Sequence, residues 1–168
     1  MSLDHYADTG MFPSDPDDLM ASATAGWAGP YLFGTFDDRW SGQGGYTVDG
    51  FGSDYVFTAN GVQLTITSWG PDRANGGGDD IALTVDATPI LRERTLDRLR
   101  VVNAAIVQYN AVNLATNPLP GNWASAYSQL VSSGYLPLGG PERDDAWGAA
   151  FVGDPAVQPL SRVTSTNL

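Results

Sequence analysis

Four residues of one loop have the types and spacing to bind a hard cation: Asp72, Asp79 and Asp80 carry carboxylates and Asn75 an amide oxygen. Between them Gly76-Gly77-Gly78 lets the chain curl, so that backbone carbonyls, that of Trp69 among the candidates, can point inward. Calcium takes about six to eight oxygens from carboxylates, carbonyls and water in a flexible geometry. Three carboxylates gathered without a cation would repel one another. The same residues also read as a solvated acidic loop after a strand, and composition alone favours that reading. The loop is not an EF-hand, because the alternating acids and closing glutamate are missing. Nor is it a β-roll, since Gly76-Gly77-Gly78-Asp79 occurs once rather than in series.

Other chemistry is poorly supplied. The chain of 168 residues has no cysteine and a single histidine, His5. Thiolate sites and Cys nucleophiles are excluded, and Ser-His-Asp chemistry or a His-rich zinc site is disfavoured. Paired acids could serve a glycosidase, but nothing places two of them across a cleft. Asp15-Pro16-Asp17-Asp18 and Asp37-Asp38 fit turn and cap duty better than cation binding. The aromatics Trp27, Tyr31, Phe33, Phe36 and Trp40 fit core packing better than a sugar-stacking surface. Phe51 and Trp147 are expected in the core, His5 at a helix end, and the arginine run from 92 to 100 on a solvated helix face. A net charge of -11 argues against nucleic acid or an anionic membrane surface as partner.

The elements that must position the loop follow from periodicity. Asp54–Thr58, Val62–Ser68 and Ile81–Val85 read as strands of a small antiparallel sheet. Asn60-Gly61 is a hairpin signal between the first two. Leu96, Leu99, Val102, Ile106 and Tyr109 form one apolar stripe in a helix from Leu91 to about Val112. Thr95 is a candidate N-cap of that helix, which leaves its start open. Shorter helices are expected at Asp17–Ala23, capped by Ser14 or Asp15, and at Ala124–Ser132. Gly26–Phe36 and Ser41–Tyr46 read as loops. No segment has the roughly 20 apolar residues needed to span a bilayer, and no signal peptide is evident.

The charge is asymmetric. Residues 1–90 hold 13 aspartates against Arg39 and Arg73, whereas residues 91–168 hold six acids and six arginines. A boundary is expected near Thr88-Pro89. An internal repeat supports it. Asp49-Gly50-Phe51-Gly52-Ser53-Asp54-Tyr55 matches Asp145-Ala146-Trp147-Gly148-Ala149-Ala150-Phe151 in the pattern Asp-x-aromatic-Gly-x-x-aromatic. Thr65-Ile66-Thr67-Ser68 matches Arg162-Val163-Thr164-Ser165 downstream, and Tyr6–Pro13 loosely matches Tyr109–Pro120 upstream.

These motifs together resemble the type II secretion pseudopilins, most of all the major, G-type pseudopilin. Tyr6 through Thr9-Gly10-Met11-Phe12-Pro13 is similar to the family's turn after its long helix. Asp49 to Tyr55 is similar to its Asp-Pro-Trp-Gly-x-x-Tyr strand entry. Ser68-Trp69-Gly70-Pro71-Asp72 followed by Asp79-Asp80-Ile81 is similar to its loop closed by paired acids. Gly134-Tyr135-Leu136-Pro137 and Asp145-Ala146-Trp147-Gly148 repeat two of its signatures. The resemblance implies an α+β fold of two pseudopilin-like units, each with helix elements on a small antiparallel sheet. The first, residues 1–88, would carry the metal loop on a truncated N-terminal helix. The second, residues 89–168, would have a long amphipathic helix and no metal loop. It further implies a calcium ion held by the Trp69 carbonyl, Asp72, Asp79 and Asp80, and no enzymatic activity. The partners would be other pseudopilin subunits and secretion-machinery proteins, with no nucleic acid. The place would be the periplasmic face of the bacterial inner membrane, reached through an N-terminal helix absent from this chain. The rival expectation is a secreted calcium-dependent module gripping a glycan or protein with exposed aromatics.

Overall fold

A computed structural model of the chain describes residues 1–32 and 45–168. Phe33, Phe36, Asp37, Asp38 and Trp40, and most of the expected loop at Ser41–Tyr46, lie outside the described residues. The fold is α+β, with helices and small antiparallel sheets. The chain divides into two compact units, Met1–Thr88 and Pro89–Leu168.

In the first unit a short helix, α1 (Ser2–Thr9), ends at Gly10, which adopts the left-handed conformation that glycine tolerates. A single 3-10 turn, Pro16–Leu19, replaces the helix expected at Asp17–Ala23. Asp15 caps it by accepting from the Asp17 and Asp18 N–H groups, and Pro16 at the start suits that geometry. The sheet follows as β1 (Val56–Asn60), β2 (Gln63–Ser68) and β3 (Ile81–Asp86), antiparallel in sequence order. The β1–β2 turn falls on Gly61-Val62, one residue later than the Asn60-Gly61 signal placed it: Asn60 is the last residue of β1, opposite Gln63, and Gly61 takes φ 59°. Leu64 is fully buried on one face of the sheet, and Tyr6, Leu19, Val48 and Ala87 are also in this unit's core.

The second unit is built on α2 (Thr88–Asn113), with Pro89 in its first turn. The helix begins earlier than the sequence reading placed it, and Thr95 is an interior residue rather than a cap. The expected stripe holds at Val102, Ile106 and Tyr109, which are buried, and at Leu99, which packs against the core; Leu96 alone departs from it. The buried residues of α2 are Leu91, Thr95, Val102, Ala105, Ile106 and Tyr109, while Leu96 is 37% exposed. Asn122 caps α3 (Trp123–Ser132) by accepting from the Ser125 N–H. The strands β4 (Val152–Gly153) and β5 (Val163–Thr164) form a two-stranded ribbon. Val102, Ile106 and Tyr109 of α2 join Trp123, Ala126 and Leu130 of α3, Leu119, Phe151, Leu160 and Val163 in one core.

Candidate metal loop and the paired aspartate turns

The two copies of the Asp-x-aromatic-Gly motif fold into the same hydrogen-bonded turn. The Asp49 N–H donates to the Ser53 carbonyl over 2.8 Å and the Gly52 N–H to the Asp49 carbonyl over 3.1 Å. In the second copy the Asp145 N–H reaches the Ala149 carbonyl over 2.7 Å and the Gly148 N–H the Asp145 carbonyl over 3.1 Å. Gly52 and Gly148 sit at φ 83° and 85°, where a side chain is strained. Each aspartate bends its side chain back over the turn. Asp49 Oδ1 accepts from the Phe51 and Ser53 N–H groups, as Asp145 Oδ1 does from those of Trp147 and Ala149. The other oxygen takes a serine hydroxyl, Ser68 for Asp49 and Ser165 for Asp145.

The register repeats as well. Val56 pairs with Thr67, and Val152 pairs with Thr164. The bridges Val48↔Asp54 and Asp144↔Ala150 close the two turns alike. Both aspartates are buried. Burial pushes the Asp49 carboxyl up, but the Ser68 hydroxyl and the N–H groups of Ser53, Phe51 and Gly52 outweigh it and hold the group below its ordinary value. Burial likewise opposes ionisation of Asp145, and Ser165, Asn167, Ala149 and Trp147 together hold it low.

Ser68 is the last residue of β2, so the Asp49 turn is locked to the strand that leads into the acidic loop. Within that loop Asp79 Oδ2 accepts from the Asp72 N–H over 3.1 Å, and Asp80 Oδ2 from the Gly76 N–H over 2.8 Å. The other oxygens of Asp79 and Asp80 are buried without a hydrogen-bond partner. Gly77 faces the acids at close range. A Cβ there would stand 1.9 Å from Asp72 Oδ2 and 2.8 Å from Asp79 Oδ1, so these two oxygens converge over a position only glycine can occupy. Gly70 is similarly crowded, with the Asp79 carbonyl 2.4 Å from where its Cβ would be. Trp69 is half-buried just beyond β2. Among the described residues no three His, Asp or Glu side chains gather as a metal-binding group. A cation here would therefore need backbone carbonyls and water beside the converging acids. The donors that meet at Gly77, Asp72 Oδ2 and the unpartnered Asp79 Oδ1, suit a hard, oxygen-seeking ion, and Asp80 Oδ1 is a further unpartnered oxygen of the same loop.

Several residues take places that the sequence reading did not give them. Phe51 is 36% exposed and Trp147 is only half-buried, so neither is a core residue. The second aromatic of the later motif, Phe151, is buried instead. His5 is buried, with Nδ1 2.9 Å from the Met11 carbonyl. Arg98 is not part of a solvated face. Its guanidinium donates to the carbonyls of Asp144 and Asp145 over 3.0 and 2.7 Å. One turn earlier, the Thr95 hydroxyl accepts from the Ala146 N–H over 3.0 Å. Helix α2 thus grips the aspartate turn of its own unit. Ser68 and Ser165 were visible as part of the repeat, but only the fold gives them a role.

Known protein families, curated proteins and solved structures offer no match to this chain. Among the described residues no helix is long and apolar enough to cross a membrane.

Proposed function

We propose that the chain is a non-enzymatic structural subunit of a pilus-like assembly of the type II secretion pseudopilin kind, with calcium bound in its first unit. The reading is supported by the buried, unpartnered oxygens of Asp79 and Asp80 in a loop locked to β2. Asp72 and Asp79, whose oxygens converge at Gly77, would hold the ion, Asp80 would join them by closing on the bound cation, and the Trp69 carbonyl would be the backbone donor the resemblance implies. Calcium would neutralise their mutual repulsion and fix the loop as a surface for neighbouring subunits, and its binding free energy would add to folding free energy. Other pseudopilin subunits and secretion-machinery proteins are the proposed partners, at the periplasmic face of the bacterial inner membrane.

Thermal unfolding in EDTA, in calcium and in magnesium tests this. Calcium alone is expected to stabilise, by about 2.7 kcal/mol at a concentration about 100 times the dissociation constant. Asp72→Ala and Asp79→Ala should remove that gain, while Asp145→Ala should keep it. Equal calcium stabilisation in all three variants, or none in the parent, rejects the site.

A further inference from the structure

We propose that Asn75-Gly76 in the acidic loop is a self-modification site, at which the asparagine converts to aspartate or isoaspartate and adds a carboxylate beside Asp72, Asp79 and Asp80. The chemistry needs only this chain and water. The Gly76 backbone nitrogen attacks Cγ of Asn75. The N–Cγ bond forms, the Cγ–Nδ2 bond breaks, and the side-chain nitrogen leaves as ammonia, carrying the proton that the backbone nitrogen gives up. Water then opens the cyclic imide at either carbonyl. One opening gives aspartate. The other gives isoaspartate, in which the backbone runs through the side-chain carbons. No oxidant, reductant or metal takes part.

Two asparagines precede a glycine, Asn60 and Asn75, and a following glycine hinders the attacking nitrogen least. The sequence ranks the two alike, and the fold separates them. Ring closure requires the asparagine backbone to rotate until the next nitrogen reaches Cγ. Asn60 ends β1 and pairs with Gln63, so that rotation breaks the hairpin ladder. Asn75 lies in no helix or strand, and it and the three glycines after it are exposed. Among the described residues its side-chain amide makes no hydrogen bond, which leaves it free to turn back over Gly76. Gly76 takes φ 92°, and the space where a side chain would stand is empty, so nothing blocks the approach. One contact restrains the nitrogen: its N–H donates to Asp80 Oδ2 over 2.8 Å. A carboxylate accepting from this N–H favours the protonated amide and slows the attack. Asp80 is therefore the brake on the site. The product alters the loop in two ways. Asp72 Oδ2 and Asp79 Oδ1 already converge at Gly77, and a carboxylate at position 75 adds to their repulsion. Isoaspartate also lengthens the backbone between them by a methylene.

The test incubates the whole chain in EDTA in mildly alkaline buffer. Peptides containing Asn60 and Asn75 are followed by mass spectrometry, with the aspartate and isoaspartate products separated. In the folded chain, conversion at Asn75 is expected at least about tenfold faster than at Asn60. In urea, where ladder and loop are both lost, the two rates should converge. Asp80→Ala should speed conversion at Asn75 in the folded chain and leave it unchanged in urea. An unchanged rate at Asn60 in that variant checks that the sheet is intact. Asn75→Gln, whose attack would have to close a larger ring, should abolish conversion at this position. Equal rates at the two sites in the folded chain, a faster rate at Asn60, or a rate at Asn75 indifferent to Asp80→Ala overturns the proposal. The measurement is made without calcium, so failure of the metal reading and failure of this one are separate results.

Discussion

Asp49 and Asp145 are ionised groups used as turn builders. Each is buried, yet each is held below its ordinary pKa by hydrogen bonds that only the carboxylate can accept in full. A folded value below the unfolded one means that the group stabilises the fold above the unfolded pKa. That contribution is lost as pH falls through the folded value. Urea unfolding should therefore show stability falling below about pH 4, and Asp145→Asn should flatten that acid limb for the second unit. Gly77 offers a second test at this scale. A methyl at its Cβ position meets Asp72 Oδ2 at 1.9 Å, so Gly77→Ala should push the acids apart. It is expected to cut the calcium-dependent rise in unfolding temperature while changing stability in EDTA much less.

At the scale of elements, the second unit is organised by what α2 holds. Thr95 and Arg98 reach the aspartate turn, and Asn103 pairs with both backbone groups of Val163. Helix and ribbon therefore define one another. Thr95→Val keeps the shape and leaves the Ala146 N–H without its acceptor, which should cost about 1–3 kcal/mol in urea unfolding. Leu130 of α3 is fully buried in the core, and Leu130→Ala should cost about 2–5 kcal/mol. By comparison, Leu96→Ala should cost less, because Leu96 is 37% exposed. A large loss at Leu96 would mean that the side chain is packed rather than partly exposed.

For the whole molecule, two compact units with separate cores predict two unfolding transitions. Scanning calorimetry should resolve them, with calcium raising only the one that contains Asp79 and Leu130→Ala lowering only the other. A single transition moved by both perturbations would mean that the units unfold together.

The sequence alone determined features set by neighbouring residues. The alternation of Val62, Leu64 and Ile66 and the glycine at 61 specify a hairpin because strand pleat and turn backbone are local properties, although the pairing of Asn60 with Gln63 moves the turn to Gly61-Val62. The spacing Asp-x-aromatic-Gly specifies the paired turns because an aspartate side chain reaches the N–H groups two and four residues on, and glycine alone takes the positive φ comfortably. The spacing of Asp72, Asp79 and Asp80 also marked the candidate loop, but not which oxygens would be left without partners. Tertiary structure decided what depends on distant chain. The apolar pattern marked Val102, Ile106 and Tyr109 for the core, but that the polar Thr95 is buried depends on the Ala146 N–H that the aspartate turn brings to its hydroxyl. Arg98 reads as a surface charge until the Asp145 turn brings carbonyls to its guanidinium. Phe51 is apolar enough for a core, but its exposure depends on what covers the sheet, and the helix beside it ends after eight residues.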